Sequence, residues 1–391
     1  MNLCFVTNED AKVPSGVVTV LIQLFEKWDP TSFIIVLTNR NHWGQDLLKE
    51  KSDNKKNVTL VQCPWFLPSE FSWFYEGNSL IKKAILRFVT ILSLPLYIIR
   101  LVLWIRQNRI DGLLSHNGGW PAGELNRWII IAGKIANVKK NVLVIHNTPS
   151  IPKYSIKFIR HLRDKFILWC STNVITVSDS CRNSLIQGTG LGESIKKIYN
   201  GIEPIVTINS KVNPPWNKQE ISIGFVGELH ERKGVHVLLE SLKHINIPCE
   251  IALIGNGDEY YIDRLKELEK ESPWSIKFLG FRDDVMDLYH FLDIVVLPSI
   301  EYESFGMVLL EAMLWAKPAI CSDYGGMNEV VEHNKTGFVV PMNDAKALAE
   351  KLNVLLGNKA LRKQMGEAGR KRLDKYFSSS ANVNQYEAIF E

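Results

Sequence analysis

A chain of 391 residues has room for two domains with separate cores, and its 46% hydrophobic and 23% charged content is that of an ordinary globular protein. A formal net charge of +4 is too slight to argue for a nucleic-acid partner, yet it is compatible with an anionic membrane surface or a phosphorylated ligand. The six cysteines, Cys4, Cys63, Cys170, Cys181, Cys249 and Cys321, form no C-x-x-C and no close pair, which argues against structural zinc and for a reducing compartment.

The first residues, Met1 to Val6, are strand-like, with neither a basic n-region nor a cleavage site, so no signal peptide is expected and the protein is expected in the cytoplasm. Residues 3–6 predict a strand, and Val17, Val20, Leu21, Leu24 and Phe25 at helical spacing predict the helix after it. Residues 33–37 predict the next strand, so the chain opens in Rossmann-like order. The first loop, Pro14-Ser15-Gly16-Val17, holds a single turn glycine. Residues 80–109 are rich in Ile, Leu and Phe and carry Lys82, Lys83, Arg87, Arg100, Arg106 and Arg109. The uncharged run 88–99 has only 12 residues and contains Pro95, short of the roughly 20 needed to span a bilayer. The segment fits either a basic amphipathic helix lying on anionic lipid or a core helix with snorkelling cations. The aromatic cluster before it, Trp65, Phe66, Phe71, Trp73, Phe74 and Tyr75, faces either an acceptor or lipid.

Two further strand-like segments, 111–116 and 141–146, each end in a histidine, His116 and His146. Ligands of open α/β sheets bind beyond the carboxyl ends of strands, so these positions suit function, although a strand-end histidine also serves structure by bonding a backbone carbonyl. Residues 156–170 predict a helix and 173–177 a strand, with Ser178 placed as the N-cap of the segment after it. Residues 213–217, with Pro214 and Pro215, read as a linker.

The sheet pattern restarts at 221–226, followed by the loop Glu228-Leu229-His230-Glu231-Arg232-Lys233-Gly234 and a helix with Val235, Leu238, Leu239 and Leu242 on one face. The basic pair Arg232 and Lys233 in such a loop suits phosphate, and neutralises the charge that builds on a departing diphosphate. Gly255-Asn256-Gly257 lacks the third glycine of a dinucleotide fingerprint, since Tyr260 stands there, and reads as a tight turn. Residues 276–282 predict a strand and turn, 319–323 and 338–340 further strands, and the chain is expected to be helical from 345 to about 373.

The stretch 298–313 carries the chemistry. Residues 294–297 form a short apolar run of the kind a buried parallel strand shows; Pro298 stops it, and 307–315 predict a helix apolar nearly all round. Glu303 precedes the helix and Glu311 lies inside it, roughly 12 Å apart along the axis at about 1.5 Å per residue. Between them the backbone N–H groups of Ser304, Phe305, Gly306, Met307 and Val308, with the positive end of the helix dipole, suit phosphate oxygens, and Gly306 permits close approach. A carboxylate at each end accepts hydroxyl hydrogen bonds. A helix cap paired to nearby cations would account for one such Glu, but two carboxylates in so apolar a setting both need partners. The ligand this describes has hydroxyls, then phosphates, then hydroxyls, and a nucleotide sugar fits it.

Glu303-Ser304-Phe305-Gly306 through Glu311-Ala312-Met313 resembles the E-x7-E signature of the family 4 retaining glycosyltransferases, and the resemblance runs over almost the whole chain. It implies the α/β GT-B fold: two Rossmann-like domains facing a central cleft, 1–205 and 206–375, with a last helix, 376–391, packing back on the first. It implies catalytic roles for Glu303 on the sugar hydroxyls, for Lys233 on the leaving diphosphate, and for His146, in the segment His146-Asn147-Thr148, on the donor sugar near the reacting carbon. His116 resembles a second such position. By the same resemblance Ser304, Phe305, Gly306, Met307 and Val308 hold diphosphate and sugar, and Glu311 holds the ribose. The segment ending in Phe281 and Arg282 reads the nucleobase through its backbone, and Gly16 stands in a turn facing the ligand. The family carries an arginine where this chain has Glu228, so either Arg232 supplies the second positive charge or leaving-group stabilisation is weaker. There is no D-x-D motif, and no metal or other cofactor is expected where Lys233 and a helix dipole carry the charge.

The implied reaction is retaining transfer from a nucleotide diphosphate sugar to a glycan or lipid-linked hydroxyl, in bacterial surface polysaccharide or glycolipid synthesis at the inner face of the plasma membrane. A sugar-nucleotide epimerase of the same fold and a non-catalytic nucleotide-sugar-binding scaffold are the alternatives. The incomplete glycine pattern disfavours a nicotinamide oxidoreductase.

Overall fold

The computed structural model describes residues 1–8, 16–70, 80–120, 123–147, 157–189, 195–203, 212–217 and 219–391, with backbone alone at 69, 80–87 and 157–160. Pro14, Ser15, Phe71, Trp73, Phe74, Tyr75, Thr148 and Ile156, singled out above, lie outside the described residues. The chain divides into unit 1, Met1–Tyr199 with Asn382–Glu391, and unit 2, Asn200–Ala381. The sequence reading drew these limits at 205 and 375.

Unit 1 runs β1 (Asn2–Thr7), α1 (Gly16–Lys27), β2 (Phe33–Thr38), α2 (Gln45–Asp53), β3 (Val58–Gln62), α3 (Leu80–Gln107), β4 (Gly112–Asn117), α4 (Glu124–Ile135), β5 (Lys140–Ile145), α5 (Lys157–Cys170), β6 (Asn173–Thr176), α6 (Asp179–Thr189) and β7 (Ile195–Lys197). The strands pair in the order β3-β2-β1-β4-β5-β6-β7, all parallel. Parallel strands joined by helices are covered on both faces, which is why β1, β4 and β5 are nearly continuous buried runs. Ser178 caps α6 as its position predicts, its hydroxyl accepting from the Cys181 N–H at 3.0 Å.

Unit 2 repeats the plan: β8 (Ile221–Val226), α7 (Val235–Ser241), β9 (Cys249–Ile254), α8 (Glu259–Lys270), β10 (Ser275–Phe278), α9 (Val285–Leu288), β11 (Ile294–Leu297), α10 (Met307–Leu314), β12 (Ala319–Ser322), α11 (Met327–Val330), β13 (Gly337–Val340), α12 (Ala345–Gly357), α13 (Lys359–Tyr376) and α14 (Ser379–Phe390). Its sheet is again parallel, in the order β10-β9-β8-β11-β12-β13. From Asn382 onward α14 belongs to unit 1. There Phe390 fills the space a side chain at Gly112 would need, within 2.6 Å of its Cβ position, and Lys140 Nζ donates to the Ile389 carbonyl at 2.6 Å.

Three sequence expectations change. The Pro214 linker is part of unit 2: Pro214 and Trp216 are buried, and the Asn217 N–H donates to Glu250 at 2.6 Å. The helical stretch expected over 345–373 is divided at Asn358, whose non-helical backbone ends α12 and whose side chain caps α13 by accepting from the Leu361 N–H. Pro95 does not stop α3. It lies on the exposed side, where the Ile91 carbonyl it leaves unbonded can meet water. The stretch Phe88–Gln107, 20 residues, is therefore long and apolar enough to cross a membrane by length and composition, which the 12-residue reading had denied.

Candidate functional site

In unit 2 the strand order reverses between β8 and β11, the kind of point at which open parallel sheets bind ligands beyond their carboxyl ends. The loops leaving β8, β11 and β12 meet there. Gly234 (φ 67°) closes the 3-10 turn Glu231–Lys233, and a Cβ on it would stand 2.0 Å from the Pro298 carbonyl oxygen. The N–H groups of Ile300 and Glu301 donate to the Arg232 carbonyl at 2.9 and 3.2 Å. Gly325 (φ 72°) would bring a Cβ to 2.1 Å from the Glu303 carbonyl oxygen, which accepts the Gly326 N–H at 2.8 Å. Close backbone packing thus fixes Glu303 and the basic turn together.

Lys233 and Glu303, 70 residues apart, form an ion pair through Nζ and Oε2, with side chains only 14% and 18% exposed. Arg232 lies 3.1 Å from Glu228 and 4.0 Å from Glu303, so two carboxylates share it. Glu228, at the position where arginine was expected, holds the cation next to it. Gly306 (φ 83°) is the N-cap of α10, and its carbonyl accepts the Leu309 N–H at 2.9 Å. Ser304 and Phe305 are buried; the Phe305 ring packs edge-on against Phe377 at 5.8 Å, which leaves only its backbone for a ligand. Met307 and Val308 are half-buried in the first turn.

Glu311 accepts the Tyr289 hydroxyl at 2.7 Å. Burial raises its carboxyl above the ordinary 4.5, against the pull of that hydrogen bond, and the fully buried Tyr289 hydroxyl is raised well above its ordinary value by burial and by Glu311. Tyr289 was missed because it carries no motif and reaches Glu311 only through the fold. Tyr289→Phe is expected to lower stability by about 1–2 kcal/mol at pH 7, by leaving a buried carboxylate without its donor. Because Glu311 takes up its proton more readily once that donor is gone, urea titrations should show a smaller loss below pH 4.5.

Phe281 is exposed and its N–H donates to Asn256 Oδ1 at 3.0 Å; Arg282 is held by Asp284 through two hydrogen bonds, 2.8 and 2.7 Å. Gly255 and Gly257 belong to packing, since a Cβ on either would stand 1.9 Å from the carbonyl oxygen of Gly227 or Leu229. Gly255 bridges to Gly280 and Gly257 to Leu229, so the G-x-G extends the strand edge instead of forming the tight turn read from the sequence.

In unit 1, Gly16 is the exposed first residue of α1. His146 and His116, read from sequence as separate positions, form one element: His116 Nδ1 and His146 Nε2 share a hydrogen bond at 2.9 Å, and the His146 N–H donates to the Asn117 carbonyl. Burial pulls His146 down to about 4 and His116 well below 6.5, the latter also through its neighbour, so both rings are neutral at pH 7 and one donates to the other. His42 is likewise pulled down to about 4 by burial. The unfolded chain therefore binds more protons than the folded one between pH 6.5 and 4, and stability falls as pH drops through that window, by at most about 3 kcal/mol per histidine. Thermal melts at pH 7 and pH 4.5 should show the drop, and His146→Gln should reduce it.

Relatives of known class share this architecture. The family model described as Glycosyl transferases group 1 matches residues 207–372, which contain every unit 2 residue named as site. The capsular polysaccharide biosynthesis glycosyltransferase CapM of Staphylococcus aureus is 29% identical over 252 residues, 60% of this chain and 65% of CapM. An uncharacterized glycosyltransferase of Methanocaldococcus jannaschii is 30% identical over 262 residues, 64% of this chain and 68% of its own. The crystal structure of Anabaena Alr3699/HepE in complex with UDP and glucose has a similar fold, with a TM-score of 0.73 at 21% identity over 99% of this chain and 98% of that one. Two parallel α/β units of the GT-B type agree with those likenesses: the chain belongs to the glycosyl transferases group 1 family.

Proposed function

We propose that the protein transfers a sugar from a nucleotide diphosphate sugar to a hydroxyl acceptor with retention of anomeric configuration, in the synthesis of a surface polysaccharide or glycolipid. The observation that carries this reading is the Lys233–Glu303 pair at the β8/β11 reversal, beside the α10 N-terminus. The relatives add direction: CapM is named for capsular polysaccharide, and the HepE complex holds UDP and glucose. Donor binding exchanges the ion pair for ligand contacts. Glu303 accepts sugar hydroxyls, while Lys233 and Arg232 meet the diphosphate together with the α10 dipole. The acceptor oxygen bonds to the anomeric carbon on the face from which the diphosphate leaves; the carbon–oxygen bond to phosphate breaks, and the acceptor proton passes to the departing phosphate oxygen. Glu311 takes the ribose hydroxyls. With the leaving charge met by these groups, the step needs no metal. The buried thiols fit a reducing cytoplasm, where nucleotide sugars are made.

A thermal-shift and hydrolysis screen across nucleotide sugars tests the donor class, and product NMR tests retention. EDTA should leave turnover unchanged. Release of an isomerised sugar without an acceptor would replace this reading by an epimerase. A stable donor complex with no turnover on any acceptor would replace it by a scaffold, which the engagement of Arg232 by Glu228 would favour.

A further inference from the structure

The C-terminal helix brings one more polar group to the histidine pair of unit 1. His116 stands at the carboxyl end of β4 and His146 directly follows β5; their rings lie 5.2 Å apart and share the hydrogen bond between His116 Nδ1 and His146 Nε2. The Tyr386 ring, on the part of α14 that belongs to unit 1, lies 6.0 Å from the His116 ring. Its place is fixed from both ends. One turn earlier Asn382 Nδ2 donates to the Tyr199 carbonyl, and after it come the Ile389 carbonyl held by Lys140 and the Phe390 ring against Gly112.

Tyr386 is 0% exposed and His116 1%. The Tyr386 hydroxyl and His116 Nε2 are both buried with no hydrogen-bond partner among the described residues. A buried polar atom left so is costly, and at a position where phenylalanine would pack as well the hydroxyl calls for a use. The ring spacing without a direct bond suits one bridging water between the two atoms.

The position of the hydrogens decides what the three groups can do. Burial keeps both imidazoles neutral and pushes the Tyr386 hydroxyl up, so each ring carries one hydrogen and the phenol another. One ring hydrogen lies in the bond between the rings. If His146 donated it from Nε2, His116 would carry its own on Nε2, and the phenol hydrogen would stay buried without an acceptor. If His116 donates it from Nδ1, its Nε2 is a bare acceptor for the phenol side, and His146 carries its hydrogen on Nδ1. The second arrangement uses every buried hydrogen of the three side chains. It is also the reverse of the form a free imidazole prefers, so the bond made at one nitrogen is what sets the other.

We propose that Tyr386 is a positioning residue for His146: through one water its hydroxyl donates to His116 Nε2, His116 Nδ1–H donates to His146 Nε2, and His146 is held as an N–H donor at Nδ1. His146 is half-buried just beyond β5, on the side where open parallel sheets bind ligands, so what it offers a ligand is a hydrogen suited to a hydroxyl or phosphate oxygen. The use of that hydrogen in catalysis rests on the transfer reading; the tautomer does not.

The test is long-range proton–nitrogen NMR of the full chain with 15N in its histidines, at pH 7 and without substrate, the signals being assigned with His116→Gln and His146→Gln. Both rings should carry their hydrogen on Nδ1. In Tyr386→Phe the pair should revert to the Nε2 form. The melting midpoint should fall by about 2–4 °C as His116 Nε2 loses its donor, whereas deleting a hydroxyl that bonds nothing would raise it. With donor and acceptor in hand, the same variant should lower kcat about tenfold and leave the donor KM within roughly twofold, as loss of a contact made in the transition state does. The proposal is overturned if either ring of the unaltered protein carries its hydrogen on Nε2. It is equally overturned if Tyr386→Phe leaves the tautomers unchanged, raises the midpoint or turns over like the parent. A protein that transfers to no acceptor would sink the transfer reading alone, because the NMR result needs no substrate.

Discussion

Lys233→Ala is expected to lower transfer by two to three orders of magnitude, about 3–4 kcal/mol of transition-state stabilisation, because it removes the ammonium nearest the developing phosphate charge. Glu303→Ala should fall comparably through loss of the sugar contact. Stability separates this chemistry from mere damage. Glu303→Ala leaves Lys233 without its partner and Lys233→Ala leaves Glu303 only Arg232 at 4.0 Å, so each should be destabilised by about 1–3 kcal/mol, less than a fully buried pair because both side chains keep some exposure. The double variant leaves no orphaned charge and should be more stable than the sum of the singles implies, while its activity stays low. Chemical denaturation and single-turnover assays on all four proteins complete the cycle. Near wild-type turnover in either single variant would remove the site from this position.

Gly325→Ala should be among the most damaging small changes in unit 2. At φ 72° an alanine is strained, and its Cβ would stand 2.1 Å from the Glu303 carbonyl oxygen, a backbone atom that cannot rotate aside. The β12 loop must shift and take the Glu303 segment with it. A loss of more than about 3 kcal/mol is expected, with donor affinity and turnover both reduced by tenfold or more. Gly118→Ala, where nothing lies within 4 Å of the added Cβ, is the matching control and should leave the melting temperature within a degree or two. A stable and active Gly325→Ala protein would mean that Glu303 does not depend on this packing.

The fold was legible where one period dominates. Runs such as 221–226 and 294–297 are apolar because both faces of a parallel sheet are covered, and they became β8 and β11 with their limits intact. Glu303, Lys233 and Gly306 were legible as residue types in a strand-to-helix context. Their pairing was not, because it depends on carbonyl-to-glycine packing between loops 70 residues apart. Tyr289 and the His116–His146 bond escaped for the same reason: each is a contact made by sheet order, which no local pattern encodes. Pro95 misled in the other direction. Its local rule was overruled because the carbonyl it leaves free lies on the exposed side, while Ile98 and Leu101 on the core side hold the helix on course.

Segment 200–381 is continuous, whereas unit 1 is assembled from the two pieces that flank it, the second only ten residues long yet supplying the Phe390 that seats on Gly112. In recombination the middle segment therefore behaves as a cassette. A chimera exchanging it at the Tyr199 and Ala381 joints would keep the host's own tail under β4, whereas a simple head-to-tail fusion at Tyr199 would pair the first half with a foreign tail.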